Sequence, residues 1–274
     1  MRATGGILVD QTFALKLRFK SEAINDDGLG LYDGSQSFHG FAKALQLTTH
    51  AFLNDETVMK ATALKGASLT FSSPRRGSIL FDIRAKFSRK PKSAPLNADA
   101  YYDFTRVALA RATGNLEVEA DTKYVEQKLI SDEPFFDELS EKLEGSLQQA
   151  HRSIDVEGAV VSLERPRSTL LMFDHETSSW VHTRDIDKNP REFTGNMTRF
   201  NTKTGNGRAY ISELRKIIPV RKSDVFNHGN KHYLTWSLHG DNISTDKELV
   251  FVGKRVTSSR GETKRIILDD CRRA

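Results

Sequence analysis

The sequence predicts an α+β protein: an N-terminal strand, helix and hairpin unit, a helical middle, and a C-terminal small β-barrel of the OB or SH3-like kind. Three observations predict it. An alternating apolar run near the N-terminus has the period of a half-buried strand, apolar residues in the middle recur at three- and four-residue steps, and the last part holds short β-forming runs parted by glycine-rich turns. The expected divisions are an α/β unit at 1–115, an acidic helical segment at 116–165 and a basic barrel at 166–274.

Size and composition agree with more than one core. A chain of 274 residues stands near the ~250–300 residues at which single cores stop growing. Hydrophobic residues make up 38% and charged residues 28%, and 16 phenylalanines are enough to fill cores, so the chain is globular rather than disordered. The single cysteine, Cys271, excludes an intramolecular disulfide and any multi-cysteine metal site, and a cytoplasmic location is expected. The first residues lack the ~7–15 apolar residues of a signal peptide, and no run approaches the ~18 of a transmembrane segment.

The first element is a strand, because Phe13, Leu15, Leu17 and Phe19 alternate with Ala14, Lys16 and Arg18. After turn formers at 25–30, Phe38, Phe41, Ala42, Leu45 and Phe52 form a helical stripe, with Ser35 or Ser37 as N-cap. A hairpin over 65–87 sets Ala67, Leu69 and Phe71 against Ile79, Phe81 and Ile83 across Pro74-Arg-Arg-Gly. An exposed connector at 88–97 leads to helices at 98–112 and 121–131 and to a third beginning at Pro134. On that third helix Leu139, Leu143 and Leu147 make an apolar seam beside Glu138, Glu141 and Glu144, suited to the chain's own core or to a second copy in a homo-oligomer. Strands are expected at 170–173, 193–201, 209–211, 232–238, 249–257 and 263–268, the last two joined by a turn at 257–262.

Charge divides the chain. Residues 189–274 hold 17 Lys and Arg against 9 Asp and Glu, while 116–176 hold 6 against 15. The candidate binding residues are Arg199, Lys203, Arg208, Tyr210, Lys254, Arg255, Arg260 and Lys264, joined by Arg265 and interleaved with Phe200, Tyr233 and Trp236. Cations beside aromatic faces suit single-stranded nucleic acid, which needs phosphate neutralisation and base stacking together. An acidic protein surface, including this chain's own 116–176, or a peripheral anionic membrane would answer the same charge.

Signals for catalysis are weaker. Gly28-Leu-Gly-Leu-Tyr-Asp-Gly has neither dinucleotide nor P-loop spacing, and no cofactor is expected. His39, Lys43, Gln46 and His50 share one helix face, which makes a hydrolase a less favoured reading in the absence of a second catalytic partner. His228 with His232, and His175 with His182, lack a third or fourth ligand, so no metal is expected. Arg272 and Arg273 are placed to lower the pKa of Cys271.

Leu31-Tyr-Asp-Gly-Ser-Gln-Ser with the helix to His50 and Asn54, Leu64-Lys-Gly-Ala-Ser and Pro74-Arg-Arg-Gly-Ser resemble a family of bacterial proteins described only as a domain of unknown function. The run 193–208, Gly253 and the last hairpin resemble the small β module behind it. The family carries no catalytic residues to transfer, and the resemblance implies an accessory part in bacterial immunity against phage. The expected function is non-enzymatic binding within a cytoplasmic defence or stress assembly, through the basic barrel and with nucleic acid as first choice. The alternative is an oligomerising or membrane-surface adaptor that recruits an effector.

Overall fold

The structure is a computed structural model that describes residues 10–20, 28–61, 63–72, 79–242 and 247–274. The chain forms two compact units: Met1–Ser131 with Leu139–Val181, and Asp132–Glu138 with His182–Ala274. The α+β class is as expected. No helix among the described residues is long and apolar enough to cross a membrane.

The first unit is built on an antiparallel sheet of order β2-β3-β1-β4-β5, from β1 (Gln11–Lys20), β2 (Ala67–Ser72), β3 (Ile79–Phe87), β4 (Val160–Arg165) and β5 (Ser168–Phe173). The alternation in β1 does what its period implies: Phe13, Leu15, Leu17 and Phe19 are all buried. Their face receives helix α1 (Leu31–Asn54) and helix α2 (Ala98–Ala112), with Phe19 edge-on to Phe41 and Phe13 stacked on Tyr101. Residues 67–72 do pair with 79–87, but in a different register: Ala67, Leu69 and Phe71 stand opposite Phe87, Ala85 and Ile83 in place of the expected set Ile79, Phe81 and Ile83, and the expected turn at 74–77 lies outside the described residues. The strand expected at 170–173 in the barrel is instead β5, an edge of this sheet, because the unpredicted β4 pairs with both β1 and β5. Strand partners lie about 145 residues away in sequence, where local pattern gives no information.

Helix α1 begins earlier than its serines suggest. Its cap is Gly30, whose N–H donates to Glu157 Oε2 at 3.1 Å. Ser37 is fully buried and donates to the Ala150 carbonyl at 2.5 Å, while the Ser153 N–H donates to Ser37 Oγ at 3.0 Å. A side chain at Gly40 would put its Cβ 2.2 Å from the Ala150 nitrogen, so this close backbone approach needs glycine. Ala42, assigned to the apolar stripe, is exposed.

The two helices expected at 121–131 and from Pro134 form one element, α3 (Lys123–Ala150), broken at Asp132 (φ −147°, ψ 50°). Pro134 explains the break, since it lacks an N–H and restricts the residue before it. At the start of α3, Thr122 Oγ1 accepts from the Val125 N–H, and buried Asp103 Oδ2 accepts from the N–H groups of Asp121 and Thr122 at 3.0 and 2.8 Å. Short helices α4 (Arg152–Glu157) and α5 (His175–Val181) complete this unit.

The second unit contains a closed five-stranded barrel, with β6 (Thr183–Ile186) added at its side. Its strands are β7 (Arg191–Phe200), β8 (Asn206–Ile211), β9 (Lys216–Lys222), β10 (Leu249–Ser258) and β11 (Thr263–Arg273). The first three form an antiparallel meander, β11 runs parallel to β9, and β10 closes the ring by pairing with both β11 and β7. Gly195 (φ +153°) is required inside β7, since a Cβ there would fall 1.8 Å from the Tyr210 carbonyl oxygen. Phe193, Met197, Ile211, Val220, Phe251 and Ile266 fill the interior.

The expected strand at 232–238 is a helix, α6 (Lys231–Asn242), between β9 and β10. Tyr233 and Trp236 suggest a strand by propensity, but Leu234, Ser237 and Gly240 are buried at a spacing of three. Packing of that stripe on the barrel overrides the local preference, with Ser237 Oγ accepting from the Met197 N–H at 3.1 Å.

Candidate anion-binding face of the C-terminal barrel

Register assigns the outer surface. Ala209 and Ile211 are core, so Arg208 and Tyr210 point outward; Ile218 and Val220 are core, so Ile217, Pro219 and Arg221 do the same. Arg208 stands opposite Arg199 on β7 and opposite Pro219 on β9, while Tyr210 stands opposite Asn196 and Ile217. Arg221 stands opposite Asn206 and Ile267, and Lys254 continues that row beyond Ile267. Arg221 was not among the sequence candidates, and only the pairing of β9 with its neighbours places it here.

Two like charges directly opposite on neighbouring strands repel. The chain answers with an anion. Glu133 bridges the pair, accepting from Arg208 Nη1 at 2.6 Å through Oε1 and lying 3.4 Å from Arg199 Nη1 through Oε2. Asp137 presents both carboxylate oxygens to Arg208 Nη1 at 3.4 Å, and Asn206 Nδ2 donates to Glu138 Oε2 at 2.7 Å. Arg208 Nη2 donates to the Ile217 carbonyl at 3.4 Å. The cluster is substantially withdrawn from water, with the side chains of Arg208 and Asp137 only 7% and 9% exposed. All these carboxylates come from Asp132–Glu138, the part of α3 that belongs to this unit.

The remaining candidates scatter around the barrel. Lys203 is exposed in the β7–β8 turn, where Asn201 Oδ1 accepts from its N–H at 3.0 Å. Arg260 is exposed in the terminal hairpin turn, and Lys264 is buried. Arg255 is opposite core residue Ile266, so it points away from the side Lys254 occupies, and its backbone N–H donates to Asp187 Oδ2. Arg265 pairs with Val256. Among the interleaved aromatics, Tyr210 is on the outer face and 41% exposed; Phe200 packs on the core, and Tyr233 and Trp236 lie on α6 beneath the Arg273 guanidinium, 4.6 Å from the Trp236 ring.

The histidine face does not assemble a site. His39 and His50 are eleven positions apart on α1, about 16 Å along the axis. His50 Nδ1 meets Asn54 Nδ2 at 3.1 Å, and partial burial lowers its pKa, opposed by Glu56 and reinforced by Arg89 and Lys92. Cys271 departs from expectation: burial, then Asp270, pushes its pKa up to about 12, and its Sγ donates to the Asn230 carbonyl. Leu139, Leu143 and Leu147 are fully buried within the single chain. Among the described residues no cluster of three His, Cys, Asp or Glu could hold a metal ion.

Comparison with known proteins found no matching family model, no matching curated protein and no matching solved structure.

Proposed function

We propose that this protein is a non-enzymatic binding protein whose C-terminal barrel is of the OB type and takes single-stranded nucleic acid on the outer face of β7, β8 and β9. Support for the OB reading comes from connectivity: spatial order first-second-third-fifth-fourth, third and fifth strands parallel, and a helix between third and fourth. OB barrels use the face of their second and third strands and the loops after the first and fourth. Here that face carries Arg208, Tyr210, Ile217 and Arg221, and those loops carry Lys203 and Arg260.

The observation that carries the reading is the in-register pair Arg199 and Arg208 bridged by one carboxylate. Paired cations holding an anionic oxygen group at hydrogen-bond distance are the arrangement a backbone phosphate needs, and Tyr210 beside them offers a stacking surface. A cytoplasmic defence or stress assembly is the setting that the family resemblance implies.

The test is binding of an oligothymidylate of about 16 nucleotides, the upper end of OB site sizes. Affinity should fall steeply between roughly 50 and 200 mM salt through loss of counterion release. Lys203→Glu combined with Lys254→Glu, both outside the ion cluster, should weaken it further. Salt-independent binding, or binding untouched by those changes, overturns the proposal.

A further inference from the structure

We infer that Asp132–Glu138 is an internal stand-in for the ligand: an acidic strap whose carboxylates occupy the phosphate positions of the barrel face and which nucleic acid must displace. This rests on the binding reading above and specifies how that site is regulated.

Four of the seven strap residues are acidic, and three of them, Glu133, Asp137 and Glu138, contact the same face through Arg199, Arg208 and Asn206. Apolar anchorage comes from Phe135 and Phe136, both buried, with ring centroids 5.8 Å apart. The break at Asp132 and the proline two residues later interrupt the hydrogen bonding to the residues of α3 before the strap, so release frays the strap from that end toward Leu139, where it continues into the rest of the helix. Glu133 does for the two arginines what a bridging phosphate would do: it neutralises a pair that would otherwise repel.

Competition has two measurable consequences. Observed affinity is the intrinsic affinity reduced by the fraction of molecules with the strap released. The salt slope, set by the other cations of the face, is also less steep than it would be without the strap, because arginines already paired with carboxylates release few counterions when a phosphate replaces those carboxylates.

The experiment compares oligothymidylate binding by the full chain and by Glu133→Gln/Asp137→Asn, which keeps the side-chain shapes and removes both charges. The inference expects the variant to bind at least about tenfold tighter, with a steeper salt slope. Equal binding and equal slope overturn the strap and leave the barrel reading standing. Failure of both proteins to bind overturns the barrel reading, and the strap with it. A second measurement needs no variant: amide hydrogen exchange of 132–138 in the wild-type chain should accelerate when oligothymidylate is added at saturation. Unchanged or slowed exchange with bound oligonucleotide overturns the strap even where the double variant fails to fold.

Discussion

Replacing Arg208 by alanine removes the centre of the ion cluster and leaves its carboxylates behind. The lost hydrogen bond to Glu133, at 2.6 Å and charge-assisted, is worth about 1.5–3 kcal/mol. Asp137, 9% exposed, loses the same guanidinium, and removing one partner of a buried ion pair costs about 3–5 kcal/mol. The two terms overlap, so the expected loss is about 3–5 kcal/mol in total. At ~2–4 °C per kcal/mol for a chain of this size, the melting temperature should fall by roughly 6–20 °C. The assay is thermal unfolding followed by circular dichroism, extended to the triple change Arg208→Met/Glu133→Gln/Asp137→Leu. Removing these three charges together should recover most of the loss, because uncharged groups replace the buried part of the ion cluster at little cost and Arg199, 36% exposed, keeps access to water. A loss under about 1 kcal/mol for Arg208→Ala would show that the cluster behaves as an ordinary exposed ion pair and does not hold the strap.

The barrel also depends on Gly195: Gly195→Ala drives a Cβ into the Tyr210 carbonyl, and a destabilisation of about 3 kcal/mol or more is expected in chemical denaturation. Ser37→Ala should cost about 1–3 kcal/mol, because it strands the Ala150 carbonyl and the Ser153 N–H in a buried place; urea titration measures it. Burial raises the phenols of Tyr101 and Tyr124 to about 12, so the stability they confer is complete below their unfolded pKa near ~10 and is lost as pH rises through 12. Absorbance near the phenolate band should show both titrating only when the protein unfolds in alkali, and ordinary titration in the folded state would contradict their burial.

Where burial is one-sided and the signal local, sequence and structure agree. Strand β1 is legible because each of its four apolar residues enters the core and every intervening residue does not. The turn between β10 and β11 is legible from its glycine, and the break in α3 from Pro134. The helix at 231–242 is not, because its stripe becomes apparent only against the barrel it covers. Strand β9 was missed as well: Lys216, Pro219, Arg221 and Lys222 dilute its pattern, and a proline argues against a strand, yet Pro219 points outward from the barrel wall.

For the site, the sequence by itself determined that cations gather toward the C-terminus, that carboxylates gather before them, and which residue types could meet. It could not determine which of them meet, because strand register and outward direction are set by pairing between segments far apart in the chain. Only the tertiary structure put Arg199 opposite Arg208, brought in Arg221 and Lys254, turned Arg255 away, and set Glu133 between two arginines, one of them 75 residues distant. The physical reason is that charge is a property of composition, whereas an ion pair is a matter of a few ångströms, and those are fixed by the closing of the barrel.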